Sequence, residues 1–103
     1  MKHYRNKKLL DAAHDVSCIR CGKEGETRAC HYNGIRQLDY GKGRGQKCSD
    51  FMTAELCNEC DKLFSEGSNP YAEPYKYRPE REESFLHLIA MTNLRRIERG
   101  LLG

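Results

Sequence analysis

Short runs of apolar residues, separated by polar and Gly-rich segments, predict a series of small elements in the first half of the chain. Residues 5–14 lack Gly and Pro and carry two leucines and two alanines at helical spacing, which predicts a short helix with one apolar face. Residues 26–32 and 51–56 have the character of short strands, and Asn33-Gly34 predicts a turn after the first of them. A helix beside a small sheet is therefore expected.

The second half of the chain predicts two helices joined by an extended segment. The earlier of these two helices begins within residues 57–60 and runs until Gly67. Three prolines within residues 69–79 predict extended backbone, since proline lacks an amide donor and restrains the residue before it. Pro79 suits the first turn of a last helix. The apolar side predicted for this helix consists of Phe85, Leu88, Ile89, Met91, Leu94 and Ile97.

The composition offers little material for a hydrophobic core, because only 18 of the 103 residues are Leu, Ile, Val or Phe. The formal net charge of +3 is too small for this composition to indicate a disordered chain. Small domains that bury little apolar surface are held together by disulfides or by a structural metal. The six cysteines are candidates for that role, and the length excludes a TIM barrel or a two-lobed enzyme.

The cysteines are expected to be thiols or metal ligands rather than disulfides. Residues 1–11 start basic but have no apolar run behind them, so they do not have the pattern of a secretory signal. The longest apolar stretch, residues 88–91, is far too short to span a bilayer. We therefore expect a cytoplasmic protein without membrane contact, in which disulfides are rare and zinc is the first candidate metal.

Two Cys-x-x-Cys pairs are the strongest motif in the chain. Cys18 and Cys21 form one pair, and Cys57 and Cys60 form the other. Each pair places two thiolates on one tight turn, and two such turns complete a tetrahedral zinc site that is closed to substrate and therefore structural. The long interval, residues 22–56, fits a treble-clef arrangement. Thiol redox catalysis is the alternative, but the βαβ context that it needs is missing.

Cys30 and Cys48 lie outside the paired pattern. One interpretation is that both are buried free thiols, since Cys is among the most buried residue types. The other is a second metal site formed together with His31, although these residues have no recognisable ligand spacing.

Basic residues gather in two parts of the chain. They are Lys2, Arg5, Lys7 and Lys8 at the start, and Arg36, Lys42, Arg44 and Lys47 around the Gly-rich loop 41–47. Such clusters bind phosphates in some proteins and form solvated surface in others, so both interpretations stay open.

Four features follow one another along residues 8–66. They are the Cys18/Cys21 knuckle, the segment 26–31, the basic Gly-rich loop ending at Lys47-Cys48-Ser49-Asp50, and the segment 54–61. Their order and spacing resemble the YbcO-like phage and prophage proteins, which are nucleases of the HNH, or His-Me finger, superfamily. Apart from the cysteine pairs, the individual motifs are weak, and the resemblance depends on their order.

The resemblance implies a ββα-metal site built over the structural zinc. In that superfamily a His at the end of the first strand activates the water that attacks a phosphodiester, and His31 is at the matching position. A divalent cation, Mg²⁺ or Mn²⁺, stabilises the leaving oxygen. An imidazole suits the role of base when a second group fixes its tautomer.

Two further site residues follow from the resemblance. Relatives commonly read Cys-His after the second knuckle where this chain reads Cys60-Asp61. The Asp61 carboxylate is a hard ligand suited to Mg²⁺ or Mn²⁺, or else it marks an inactive member. The matching place for the group that orients the base is Asp50, with Asn33 and Asn58 as alternatives. The residues implied to hold the DNA backbone are Lys42, Arg44 and Lys47.

Simpler interpretations of these residues stay open. His31 is then a surface or hydrogen-bonded side chain, and Asp61 is a charge favoured by the dipole at the first turn of its helix. The remaining histidines, His3, His14 and His87, are expected to be structural or exposed.

We expect a single α+β domain over residues 1–103, with a zinc-knuckle and ββα core at about 16–67 between flanking helices. The C-terminal part, residues 68–103, adds an extended segment and the last helix. The predicted function is that of a phage or prophage DNA endonuclease, acting in the host cytoplasm, with branched or recombination intermediates as substrates. The alternative is a non-catalytic treble-clef module that binds nucleic acid or a protein partner. A third interpretation is an adaptor whose interface is Tyr71, Tyr75 and Tyr77.

Overall fold

A computed structural model describes residues 3–34, 36–65 and 79–102. In this part of the chain the helices are α1 (Lys7–Ala12), α2 (Asn58–Ser65) and α3 (Pro79–Glu98), and the strands are β1 (Arg28–His31) and β2 (Thr53–Leu56). Two 3₁₀ turns, Ala13–Asp15 and Gln37–Tyr40, follow α1 and precede the Gly-rich loop. The chain is thus a small α+β protein, as its sequence predicts.

The first helix begins where its capping residue predicts. The Asn6 side chain accepts a hydrogen bond from the Lys8 amide at 3.0 Å, which satisfies one of the free amides at the helix N-terminus. Leu9 is completely buried, and the 3₁₀ turn carries the helical segment on to Asp15. The helix predicted over residues 5–14 is confirmed, with a start two residues later.

The sheet is one antiparallel pair of strands in which His31 lies opposite Thr53. Both strands are shorter than the predicted segments 26–32 and 51–56. β2 starts late because residues 49–52 form a tight turn, closed by an amide-to-carbonyl hydrogen bond of 2.8 Å. This turn directly precedes the strand residue that pairs with His31.

The free edge of β2 is covered by two other parts of the chain. The Ile19 amide donates to the Glu55 carbonyl at 2.8 Å, and the Glu55 amide donates to the Thr92 hydroxyl at 3.1 Å. All four residues of β2 are buried. Backbone groups that an edge strand would otherwise offer to other chains are therefore satisfied internally.

The hydrophobic core is small and rich in sulfur. Among the described residues it comprises Cys18, Cys30, Tyr32, Cys48, Met52, Ala54, Leu56, Cys57, Cys60, Phe85, Leu88 and Ile89. Five of these twelve residues are cysteines, which shows how the shortage of aliphatic residues is met. Cys30 and Cys48 are buried and free, as the first interpretation of these two residues predicts.

The last helix starts at Pro79 as predicted, but its predicted apolar side is wrong in the second half. Met91, Leu94 and Ile97 are exposed, at 41%, 56% and 54% of their surface, while the first-half residues Phe85, Leu88 and Ile89 are buried. The buried residues of the second half are Thr92, Asn93 and Arg96. The reason is that this half packs on β2, whose buried Thr53 and Glu55 need polar partners.

Some predictions fall on residues outside the described ones. They are the end of the second helix near Gly67, the extended segment up to residue 78, and the interface formed by Tyr71, Tyr75 and Tyr77. Within the described ranges, no helix is long and apolar enough to cross a membrane.

Candidate functional site

The four paired cysteines form one cluster at the junction of the knuckle and α2. The sulfur atoms of Cys18, Cys21, Cys57 and Cys60 all lie within 4.8 Å of one another. The first pair sits on a turn closed by a hydrogen bond from the Gly22 amide to the Cys18 carbonyl at 2.9 Å. Gly22 has a φ of +83°, a conformation that a β-carbon disfavours. The second pair is held by the first turn of α2.

The surroundings of the cluster favour a thiolate at Cys18 and oppose one at Cys60. Burial raises the pKa of the Cys18 thiol, but the backbone amides of Cys21, Cys57 and Arg20 together lower it to about 6. Burial raises the pKa of Cys60 to about 12, although the Arg20 guanidinium lies 3.5 Å from its sulfur. Because a bound metal requires thiolates, the cluster needs a divalent cation to deprotonate fully. Four sulfur ligands at this spacing are the donor set of structural Zn²⁺.

His31 ends β1 and is hydrogen-bonded to a buried carboxylate. Its Nε2 lies 2.8 Å from Oδ1 of Asp50, and the two side chains are 15% and 5% exposed. With Asp50 ionised, Nε2 carries the proton and donates it, which leaves the lone pair on Nδ1. Of the three groups predicted to orient the imidazole, the structure places Asp50 against it, while Asn58 is exposed at the start of α2.

Asp50 is itself held by the N-terminal segment, a contact that no sequence pattern predicts. The Asn6 amide donates to Oδ2 of Asp50 at 2.7 Å, and Nη1 of Arg5 lies 3.6 Å from Oδ1. The Arg5 guanidinium also donates to the carbonyls of Lys47 and Cys48 at 2.7 and 2.8 Å. No local motif marks these contacts, because the partners are more than 40 residues apart along the chain.

Asp61 lies in the first turn of α2 and is ion-paired. Its Oδ2 accepts a hydrogen bond from Nη2 of Arg28 at 2.7 Å. The Asp61 side chain is 22% exposed and that of Arg28 is 52% exposed, so this contact stands at the protein surface. The helix dipole and the guanidinium partner both stabilise negative charge on Asp61.

Cys30 neighbours Asp61, but the structure does not support a second metal site at the unpaired cysteines. Burial raises the pKa of Cys30 to about 12, and the negative charge of Asp61 adds to the effect. Burial also raises the pKa of Cys48. Among the described residues, the four-cysteine cluster is the only group of three or more potential ligands close enough to share an ion. The alternative that joined Cys30, Cys48 and His31 is therefore wrong, since the ligand atoms of these residues do not form a group close enough to share an ion.

A cavity of about 390 Å³ is lined by four of the predicted site residues, His31, Lys42, Lys47 and Asp61. The polar and charged side chains that line it include Arg28, Cys30, His31, Lys42, Lys47 and Asp61. Three cations thus face the same space as the imidazole and the Asp61 carboxylate. A second cavity, of about 50 Å³, shares His31 and Asp61 with it. Of the three predicted phosphate-binding residues, Lys42 and Lys47 line this cavity. Arg44 is exposed and does not line it.

The remaining histidines agree with their predicted structural or exposed character. His14 Nδ1 lies 3.1 Å from the carbonyl oxygen of Thr27 and so ties the 3₁₀ turn to the start of β1. His3 and His87 are exposed.

No protein family matches the chain, and neither does a curated protein or a solved structure.

Proposed function

We propose that this chain is a metal-dependent DNA endonuclease of the HNH, or His-Me finger, type, related to the YbcO-like phage and prophage proteins. The observation that carries the proposal is the cavity at the end of β1. There a histidine bound to a buried carboxylate faces a second carboxylate and three cations. This combination supplies a base, a place for positive charge and a surface for phosphates.

The order of elements supports a treble-clef fold with a ββα-metal site. The Cys18/Cys21 knuckle precedes the β1–β2 pair, and the second cysteine pair opens α2 directly after β2. A zinc ion in the cluster would join the knuckle to the start of α2. His31 at the end of β1 and Asp61 in the first turn of α2 would then face one cavity on a rigid support.

His31 would act as the general base through Nδ1. The hydrogen bond from Nε2 to Asp50 directs the lone pair to the other ring nitrogen. Nδ1 takes a proton from the water that attacks phosphorus, and Asp50 stabilises the resulting imidazolium. General base catalysis of this kind contributes about 10²- to 10⁴-fold in rate.

The donors near Asp61 fit a divalent cation that keeps water and substrate oxygens as its other ligands. Magnesium is commonly held in this way by one or two carboxylates together with substrate phosphates. The Asp61 carboxylate already pairs with a cation, the Arg28 guanidinium at 2.7 Å, so its place favours positive charge. When bound, Mg²⁺ or Mn²⁺ would stabilise the charge on the leaving oxygen.

The cations of the cavity support a nucleic acid as substrate. Arg28, Lys42 and Lys47 line the same space as His31, and each can neutralise one backbone phosphate. Arg44 is exposed and lies between Lys42 and Lys47 in the Gly-rich loop. Branched DNA and recombination intermediates are the substrates that we propose on the resemblance alone.

A non-catalytic zinc module that binds nucleic acid is the second candidate, because the same cations would bind DNA without cleavage. The two candidates differ in what His31 and Asp50 do. A binding module does not require a buried carboxylate that orients an imidazole. The hydrogen bond between His31 and Asp50 therefore favours the nuclease.

The test is cleavage of supercoiled and four-way branched DNA by the zinc-loaded protein with Mg²⁺ or Mn²⁺. We expect His31→Ala to lower the cleavage rate by about 10²- to 10⁴-fold. His87→Ala, which changes an exposed histidine of α3, should leave it unchanged. Omission of both Mg²⁺ and Mn²⁺ from the zinc-loaded protein should stop cleavage. Equal nicking by wild type and His31→Ala would remove His31 as the base, and salt-sensitive binding without cleavage would identify the binding module.

A further inference from the structure

We propose that Arg96 and Thr53 are positioning residues for His31, because they hold the backbone of Asp50 so that its carboxylate meets Nε2 of the imidazole. The inference rests on the proposed function for its consequence in catalysis. The orientation of the imidazole can nevertheless be measured in a protein that does not cleave DNA.

A directed chain of hydrogen bonds connects α3 with the turn before β2. Nη2 of Arg96 donates to the Thr53 hydroxyl at 2.7 Å, and the Thr53 hydroxyl donates to the Asp50 carbonyl at 2.8 Å. A guanidinium only donates and a hydroxyl both accepts and donates, so the direction of this chain has no alternative. Arg96 and Thr53 have no exposed surface, and therefore water does not compete for these bonds.

A second branch from the same guanidinium holds the next carbonyl. Nη1 of Arg96 donates to Oδ1 of Asn93 at 2.8 Å, and the Asn93 amide donates to the Phe51 carbonyl at 3.1 Å. One buried side chain thus supports two successive carbonyls, those of Asp50 and Phe51. Together they fix the turn from which the Asp50 carboxylate projects.

The charge of Arg96 is costly to bury, and direct pairing does not explain it. Its helix neighbours Arg95 and Arg99 both bind the Glu55 carboxylate, whereas the hydrogen bonds of Arg96 go to the neutral Thr53 and Asn93. Its Nε is buried without a hydrogen-bond partner among the described residues. The nearby charges of Glu55 and Asp50 offset part of this cost. A long apolar side chain would avoid the cost, but it would not hold Thr53 and Asn93 in place.

Thr53 is also the cross-strand partner of His31. The same residue therefore supports both sides of the imidazole's hydrogen bond. It pairs with the strand residue that carries the ring, and it fixes the turn that carries the carboxylate. Loss of its hydroxyl should loosen the His31–Asp50 contact while leaving the sheet pairing intact.

The experiment compares Thr53→Val with Thr53→Ser in the zinc-loaded protein. Valine keeps the shape but removes the hydroxyl, whereas serine keeps the hydroxyl. The ¹⁵N chemical shifts of the His31 ring should show protonated Nε2 in wild type and Thr53→Ser. In Thr53→Val they should show a mixture of the two tautomers. If cleavage is present, kcat should fall about 10- to 100-fold in Thr53→Val with KM unchanged.

Two further variants keep the test decisive if Thr53→Val folds poorly. Arg96→Met should shift the tautomer as Thr53→Val does, and Arg96→Lys should restore it in part through one retained donor. Thr92→Val is the matched control, since Thr92 is equally buried on α3 but accepts from the Glu55 amide. An unchanged tautomer in both Thr53→Val and Arg96→Met would overturn the inference, as would an equal shift in Thr92→Val. A wild type without cleavage but with the expected tautomer changes would contradict the proposed function alone.

Discussion

The four-cysteine cluster and the His31 cavity lie at neighbouring places in the fold but are assembled in different ways. The cluster takes its ligands from two local turns, at residues 18–21 and 57–60. The cavity takes its lining groups from β1, the Gly-rich loop and α2, and its His31 is hydrogen-bonded to Asp50 in the turn before β2. Its key hydrogen bond further depends on the N-terminal segment and on α3.

This difference indicates which region depends on the other. Each cysteine pair can form its turn from local sequence, and metal binding then joins the two turns. The His31–Asp50 contact exists only when the strands, the N-terminal segment and α3 are already packed. We therefore expect damage to the cluster to destroy the cavity, and damage to the cavity to leave the cluster intact.

The largest effect is expected from Cys57→Ser or from removal of the metal with a strong chelator. Structural zinc in small domains is worth about 10–16 kcal/mol, as much as the ~5–15 kcal/mol that stabilises a whole domain. The variant should lose its fold, its zinc and the cavity together, as measured by circular dichroism and metal content. The control is Cys48→Ser, which changes a buried cysteine outside the cluster and should retain zinc. A Cys57→Ser protein with native circular dichroism would contradict the expectation that the fold depends on the four-cysteine cluster.

An intermediate effect is expected from Glu55→Gln, which breaks the contact between β2 and the last turns of α3. Glu55 has no exposed surface and binds Arg95 and Arg99 at 2.9 and 3.1 Å. The free energy of unfolding should fall by about 3 kcal/mol, the low end for a broken buried ion pair, because both arginines are partly exposed. Urea denaturation measures it. The control, Glu59→Gln, changes an exposed carboxylate of α2 and should alter stability by less than about 0.5 kcal/mol.

The smallest effect is expected from Arg28→Gln, which acts on the cavity alone. Removal of the guanidinium takes away the positive charge that is paired with Oδ2 of Asp61. Since a surface ion pair is worth up to about 1 kcal/mol, Mn²⁺ should bind up to about five-fold more tightly. Calorimetry or electron paramagnetic resonance on zinc-loaded protein measures this. Lys42→Gln removes another cation of the same cavity and should change Mn²⁺ affinity less. Weaker Mn²⁺ binding by Arg28→Gln would contradict a cation-binding site at Asp61.

The elements that local chemistry specifies were predictable from the chain. Proline at the first turn predicted the start of α3 at Pro79, and the paired cysteines predicted the cluster. The place of Asp50 beside His31 could be expected only through the resemblance, since 19 residues separate them. The support from Arg5 and Asn6 was missed because no periodicity or motif connects the N-terminal segment with the turn before β2.

The last helix shows most clearly where prediction from local pattern ends. Its apolar residues occur at helical spacing along the whole length, yet only those of the first half are buried. The second half faces Thr53 and Glu55 of β2 and therefore buries Thr92 and Arg96 instead. A pattern of apolar residues predicts which side of a helix prefers to be buried. The side that is actually buried is decided by the residues that the helix packs against.

By itself the sequence determined the α+β class, the approximate places of the helices and strands, and the four cysteines as one metal site. These features depend on spacing, capping and turn chemistry, which act over a few residues. The tertiary structure alone decided that Asp50 is held from both sides, that Arg28 pairs with Asp61, and that Arg96 is buried beneath the turn. Such contacts join residues that are far apart in the chain, and they follow from which charges and hydrogen-bond donors must be satisfied once the small core has closed.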